Sequence, residues 1–278
     1  MNRRAVWVIA RKDIASIFAN SQVWLPMMVI PLLFAVIFPA GICLAMTYLP
    51  LGSEAKVQET LGWIHRVAGT GAVGAAVAAY GQVNQKFVYL AMNYLFAPFF
   101  LLIPLMAAST ISSDSFAGEK ERGTLETLLF SPASLISLFA GKVLASFLPA
   151  MLLSLVSFLL FGLTANLAGF KLMGGVFFPQ LNWLPLMVLV IPAISLFATL
   201  LTVFISARVS SFQAASQTSS MLVLPVILLL LGQVTGFLLL KTWVVTLVGL
   251  VLAALDWFLL RLLARAMDRG RLFESQVR

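Results

Sequence analysis

The chain has 278 residues, of which 61% are hydrophobic and 10% are charged, and its mean hydropathy is +1.03. This balance excludes a soluble domain and predicts one integral membrane domain over residues 1–278. The formal net charge of +8 is typical of a membrane protein with a basic cytoplasmic edge, so we expect no nucleic-acid partner. Cys43 and His65 are the single cysteine and histidine, so we predict no disulfide, catalytic set or metal site.

The first predicted element is an amphipathic interfacial helix over residues 5–18. One helical face carries apolar side chains, while Arg11 and Lys12 lie away from it. The segment is too short and too charged to cross a bilayer, so a helix in the headgroup plane fits it; the alternative is a solvated lead-in to the first span. We expect no cleaved signal peptide. The shared apolar face consists of Trp7, Ala10, Ile14, Ile17 and Phe18.

Six apolar runs follow, each long enough to cross a bilayer. Residues 50–86 are predicted to be an extracytoplasmic loop with one or two interfacial helices, because the Ala/Gly-rich tract in it is only mildly apolar and short. Residues 206–220, rich in Ser and Gln, are predicted to be a polar loop. The predicted spans are residues 23–49, 87–111, 135–164, 183–205, 221–240 and 243–263.

The distribution of Lys and Arg predicts the orientation. Six spans place both termini on one side, and that side holds most of the basic residues, so we assign it to the cytoplasm of a cell (inner) membrane. A seventh span in the Ala/Gly-rich tract would destroy this asymmetry. The other side holds only Lys56, Arg66, Lys86, Lys171 and Lys241.

Residues 114–133 form a charged island between the second and third spans. Mid-bilayer charges cost about 2.5–3.5 kcal/mol each, so we expect this stretch to lie outside the membrane. The third span is longer than a bilayer requires, so we expect its Lys142 end to project into the cytoplasm or the span to tilt. Pairs Glu119–Arg122 and Arg122–Glu126 have helical spacing, and Pro132 ends the helix. Its other face carries Leu125, Leu128 and Leu129.

The chain lacks an energy source of its own. The one Gly-Lys pair, Gly141–Lys142, is followed by Val143, so there is no phosphate-binding P-loop. Asp256 is the clear ionisable residue inside a span. It is a candidate substrate or ion site, or a structural acid that is hydrated or paired with a basic residue of another helix.

The sequence GEKERGTLETLLFSPAS and the following GK resemble the signature of type-2 ATP-binding-cassette (ABC) transporter permeases, the membrane subunits of bacterial exporters. The Lys12–Asp13 pair and the Ser/Gln-rich loop before a fifth span with an early proline, Pro225, are also similar to that family. The resemblance implies an all-α fold of six spans, an N-terminal elbow helix and a cytoplasmic coupling helix, with no catalytic activity.

The resemblance also implies partners. A separate ATPase subunit, in two copies, would bind ATP and Mg and dock on the coupling helix, while a second permease chain, identical or related, would complete a dimer surrounded by lipid. The 206–220 loop is a second contact or an ordinary polar turn. The implied coupling residues are Glu119, Lys120, Glu121, Arg122, Gly123, Thr124, Leu125, Glu126, Leu128 and Leu129.

The family places the transport pathway between the second and fifth spans. The candidate residues are apolar and aromatic, which favours a hydrophobic or amphipathic cargo; alternatively they face lipid or pack inside the bundle. Two rival functions stay open: an ion-coupled secondary carrier that uses Asp256, and an intramembrane enzyme or scaffold. The candidate pathway residues are Met92, Asn93, Phe96, Phe99, Phe100, Leu224, Ile227, Leu228, Leu231 and Gln233.

Overall fold

A computed structural model describes residues 3–49, 54–69, 71–124, 134–235 and 241–266. Over these ranges every regular element is a helix, so the predicted all-α class is confirmed. Six helices are long and apolar enough to cross a membrane, as predicted, and the Ala/Gly-rich tract is not among them. In chain order, spans 1 to 6 are Met27–Tyr48, Val83–Glu121, Leu135–Met173, Trp183–Arg208, Phe212–Val234 and Thr242–Leu263.

Within the described ranges, three further helices lie outside the spans. The N-terminal helix, Arg3–Ala19, packs along span 3. Cap helix 1, Glu54–Ala68, and cap helix 2, Ala72–Ala78, occupy the connection between spans 1 and 2. Of the apolar face predicted for the N-terminal helix, Trp7 and Phe18 point away from the chain, being 59% and 58% exposed. The side that packs inward carries Val6, Ala10, Asp13 and Ile17.

Within the described residues, three of the spans contain wide π-helical turns: spans 1 and 4 have one each, and span 2 has two. The turns at Leu33–Ile37, Ala91–Leu95 and Leu186–Val190 are each followed within three residues by a proline: Pro39, Pro98 and Pro192. Proline has no backbone N–H, and a widened turn redistributes the hydrogen bonds that it interrupts. The fourth turn, Asp114–Gly118, has no proline nearby and leads into the charged island.

Several predicted boundaries were wrong, because polar residues continue the helices. Span 2 runs to Glu121 rather than to residue 111, and span 3 reaches Met173 rather than residue 164. Residues 212–219, predicted as loop, form the first helix of span 5, which continues through a 3-10 turn, Ser220–Leu222. Ser211 begins that helix by accepting a hydrogen bond from the Ala214 N–H.

Span 2 is the centre of the bundle. In its most apolar 18-residue stretch, 72% of the residues are buried, whereas the corresponding share in spans 5 and 6 is 17%. Span 2 packs on spans 3, 4 and 5. An aromatic cluster fills the core between spans 2, 3 and 4, with ring centroids 4.8–5.0 Å apart in edge-on contacts. This cluster consists of Phe100, Phe161, Phe178 and Trp183.

Candidate functional site

Residues 119–124 end span 2 and form the segment of interest. The last helical turn is Glu119–Glu121, after which Gly123 adopts a left-handed conformation with φ of +69°. Such a φ favours glycine, so the helix axis ends here. The Thr124 hydroxyl donates a hydrogen bond to the carbonyl of Glu119 at 3.2 Å, which tightens the turn. The segment lies at the same end of the bundle as the N-terminal helix, and we call this the basic end.

A cluster of four charged residues, three of them buried and the fourth, Lys12, half-exposed, lies directly behind this segment. Lys142 of span 3, with no exposed surface, donates to Glu119 Oε2 at 2.5 Å and contacts Asp13 Oδ2 at 3.4 Å. Lys12 reaches Glu119 Oε1 at 2.9 Å and Asp13 Oδ1 at 3.4 Å. Ser115 links the charges, because its hydroxyl donates to Asp13 at 2.7 Å and its carbonyl accepts from Lys142 at 2.5 Å.

Two cations and two carboxylates balance within this charge cluster of Lys12, Asp13, Glu119 and Lys142. Burial lowers the pKa of Lys12, but the hydrogen bond to Glu119 and the charges of Asp13 and Glu119 raise it, and the net shift of the pKa is upward. Lys12 therefore keeps its positive charge at neutral pH. A buried charge without a partner is costly, so the cluster holds the N-terminal helix, span 2 and span 3 in one relative position.

Gly141 sets the approach of the N-terminal helix to span 3. A Cβ atom at Gly141 would lie 2.8 Å from Ile9 Cβ and 2.9 Å from the carbonyl oxygen of Val6. The absent side chain therefore lets the two helices touch, which brings Asp13 within reach of Lys142. The Gly-Lys pair is a packing and pairing motif in this fold.

A second ion pair stiffens the exit from span 2. Arg122 Nη1 lies 3.0 Å from Asp114 Oδ1, eight residues earlier, across the π-helical turn. Gly118 leaves room for this contact, because a Cβ there would be 2.8 Å from Asp114 Oδ1. The Arg122 side chain is half-exposed, so screening reduces the energy of this pair, but its geometry joins the segment to the helix before it.

The outward face of the segment contacts the connection between spans 4 and 5. The Lys120 ammonium donates to the carbonyl of Val209 at 2.9 Å, and Glu121 Oε2 accepts from the N–H of Phe212 at 2.8 Å. Glu121 thereby satisfies one of the free N–H groups at the start of the first helix of span 5. The 119–124 segment thus contacts four elements: the N-terminal helix, span 3, the span 4–5 connection and the body of span 2.

Some of the predicted coupling residues are exposed in the structure, and others are not. The predicted Glu119–Arg122 pair is wrong, because Glu119 is 5% exposed and bound to two lysines, while Arg122 binds Asp114. Lys142 is buried, and its charge is neutralised within the protein. Lys120, Glu121, Arg122, Gly123 and Thr124 are exposed, as an outward-facing surface requires. Outside the described residues lie Leu125, Glu126, Leu128, Leu129 and Pro132.

The predicted pathway residues of span 2 lie in the core of this chain. Met92, Asn93 and Phe100 have no exposed surface, and Phe96 is 4% exposed, so they pack rather than line an open route. Phe99 is partly exposed and stacks on Phe34 at 4.8 Å.

Asn93 has a structural use, which accounts for its burial. Its backbone carbonyl accepts from the Asn182 amide at 2.7 Å and from the Trp183 indole at 3.1 Å. Its side chain accepts from the Gln180 N–H at 3.2 Å. The π-helical turn in span 2 frees this carbonyl, and the start of span 4 is docked on it.

Span 5 presents a continuous apolar face. Four of its predicted pathway residues are 44% to 67% exposed at helical spacing, while Gln233 is buried at 1%. No other part of the described chain covers this face. The four residues are Leu224, Ile227, Leu228 and Leu231.

Asp256 is buried in span 6, which packs against span 4. It is 4% exposed, and its Oδ1 atom has no hydrogen-bond partner. No basic residue among those described pairs with it, and Arg261 lies over the ring of Trp257 at 3.5 Å.

No functional role was predicted from the sequence for Asp13, Ser115 or Lys142. A usable signal existed for Lys142. A lysine that opens a long apolar span needs an anion nearby, and Asp13 and Glu119 are among the acids that precede spans 1 and 3 on the same side.

One comparison with known proteins gives a match. Residues 7–254 match the model of a family described as "ABC-2 family transporter protein". No curated protein matches the chain.

Proposed function

The chain belongs to the ABC-2 transporter family, and from that premise we propose that it is the permease of an ATP-driven exporter, moved through residues 119–124 by a separate ATPase. Membership makes it a multi-pass membrane protein and a permease subunit of an ABC transporter, and permeases of this family work with an ABC ATPase subunit. Export, the copy numbers, the docking site and the cargo are our proposals.

The orientation follows from charge. The basic end carries the N-terminal helix, the 119–124 segment and Arg208, and the positive-inside bias assigns such an end to the cytoplasm. An ATPase that uses cytoplasmic ATP and Mg would therefore meet this end. The exposed Lys120, Glu121 and Arg122 provide charged groups for its surface.

The observation that carries the proposal is the charge cluster behind the segment. A push on a flexible loop would be absorbed locally. Here the segment is continuous with span 2 and is tied to the N-terminal helix and span 3 by Lys142, Glu119, Lys12 and Asp13, and to span 5 by Glu121. A displacement of the segment would therefore move these elements together, as in rigid-body switching.

Glu119 takes a revised role in this mechanism. We assign it to positioning rather than to contact with the ATPase, because both of its carboxylate oxygens are occupied inside the chain. The contact surface would consist of residues 120–124 and the leucine-bearing residues that follow.

The apolar face of span 5 supports a permease dimer. A second chain, identical or related, would cover the face formed by Leu224, Ile227, Leu228 and Leu231 in its closed state. In the switched state the same face would border the route, so the cargo would be hydrophobic or amphipathic. The buried span 2 residues would support this route rather than line it.

A secondary carrier based on Asp256 is the second candidate. The buried, unpartnered carboxyl oxygen favours it, because ionisable groups inside membrane bundles are commonly functional. A carrier of this kind would work without an ATPase and would lose activity in Asp256→Asn.

Reconstitution separates the two. The chain is co-purified with its ATPase and placed in proteoliposomes, and ATP-dependent transport is measured with and without an ion gradient. Our proposal predicts transport that needs ATP, persists in Asp256→Asn, and fails when Glu121→Arg and Arg122→Glu are combined. Transport driven by the gradient alone, or wild-type transport in the charge-reversed variant, would refute it.

A further inference from the structure

Cap helices 1 and 2 line an open cavity at the end of the bundle opposite the charge cluster. Its volume is about 390 Å³, within the usual range of small-molecule sites. Its floor is apolar: Ile64, Ala68 and Val77 line it and are each at most 5% exposed. The coupling mechanism does not use this cavity.

Cap helix 1, which forms one wall of the cavity, contacts spans 2 and 5. The Trp63 indole donates to the carbonyl of Val234, the last helical residue of span 5, at 2.9 Å, and its ring lies 5.6 Å from that of Phe87 in span 2. Cap helix 2 turns back sharply, since a Cβ at Gly74 would lie 2.4 Å from the carbonyl oxygen of Gly69. The space between the cap helices is therefore set by backbone geometry.

The ionisable groups that line the cavity are a lysine and a histidine. Cap helix 1 contributes His65 and the start of span 2 contributes Lys86, whereas cap helix 2 has no ionisable residue. Among the described lining residues there is no carboxylate to neutralise Lys86. An apolar floor with a cation beside it is complementary to a molecule that has an apolar tail and an anionic head.

We propose that this cavity binds a single-chain anionic amphiphile, with its tail against Ile64 and Val77 and its head on Lys86 and His65. The site adds to the permease function and does not depend on it. Because Trp63 joins the cavity to spans 2 and 5, occupancy stabilises one relative position of these two spans.

Binding of dodecanoate to the full chain in neutral-lipid nanodiscs tests the proposal, by calorimetry with empty nanodiscs as background. Lys86→Gln removes a charge-assisted contact and is expected to weaken binding about tenfold. Lys56→Gln, an exposed lysine of cap helix 1 outside the cavity, is the matched control and keeps wild-type affinity. Dodecanol, which has the same tail without the charge, is expected to bind at least tenfold more weakly than dodecanoate.

Filling the cavity provides an independent arm. Ala78→Phe places a ring in the cavity and is expected to abolish binding, while Ala79→Phe, next to it but outside the lining, keeps it. Equal melting temperatures of these two variants show that the fold is intact, and if Ala78→Phe melts lower, the Lys86→Gln comparison decides. Equal binding of dodecanoate to Lys86→Gln and wild type, or equal binding of dodecanol, would overturn the proposal. Neither result bears on ATPase coupling, since no ATPase is present.

Discussion

Replacing Lys142 with methionine should destabilise the chain more than any other single charge removal at the basic end. Methionine keeps much of the volume but removes the contacts to Glu119, Asp13 and Ser115. The two carboxylates, 5% and 3% exposed, would then share the half-exposed Lys12 alone. Breaking a buried ion pair from one side costs about 3–5 kcal/mol, which is about 150- to 5,000-fold in the unfolding equilibrium.

The assay is unfolding of the purified chain in mixed micelles by increasing SDS, followed by tryptophan fluorescence. Lys171→Met is the control at the other end of span 3, where Lys171 is exposed and lies 4.7 Å from the Tyr48 ring centroid, and it should cost at most about 1 kcal/mol. Adding Glu119→Gln to Lys142→Met restores the charge balance and should recover about 1–3 kcal/mol. A loss below about 0.5 kcal/mol in Lys142→Met would refute the reasoning, because surface substitutions behave that way.

Three further predictions concern the same end of the molecule. Gly141→Ala should cost about 1–3 kcal/mol by overpacking against Ile9, whereas Gly41→Ala, where the Cβ meets nothing within 4 Å, should not destabilise; equal SDS midpoints would contradict this. Glu121→Leu, which removes the hydrogen-bond acceptor, should keep the fold but reduce transport per ATP hydrolysed in proteoliposomes; an unchanged ratio would show that the contact to Phe212 carries no movement. The stability difference between wild type and Lys12→Met should be constant from about pH 6 to 9 and should shrink only above the ordinary lysine pKa of 10.5, because a raised pKa keeps Lys12 charged until then; a decline near neutral pH would oppose it.

The part of the fold that hydropathy governs could be predicted from the sequence. Six runs of apolar residues gave six spans, since the bilayer imposes the length of each. The points at which charged residues end the helices could not be predicted as well. Span 2 continues through Asp114 and Glu119 to Glu121, because the neutralising cations, Arg122 and Lys142, arrive from later in the chain.

The candidate site was located by its motif but not understood from it. Helical spacing suggested that Glu119 and Arg122 pair with each other, whereas tertiary structure gives each a different partner. The aromatic residues of span 2 illustrate the same limit. In the sequence, an apolar helix face looks the same whether it borders a transport route or packs on Trp183. Only the docking of span 4 on Asn93 shows that this face packs inside the bundle.

Cross-linking to the ATPase tests the central claim most directly. Cys43 is buried, so a cysteine introduced at an exposed position supplies the reactive thiol. Thr124→Cys lies on the 119–124 segment, and Gly81→Cys is an exposed position at the opposite end of the bundle. With a short bifunctional thiol–amine reagent and the intact complex, we expect Thr124→Cys to cross-link to the ATPase and Gly81→Cys to remain unlinked. A cross-link at Gly81→Cys, with none at Thr124→Cys, would contradict the account.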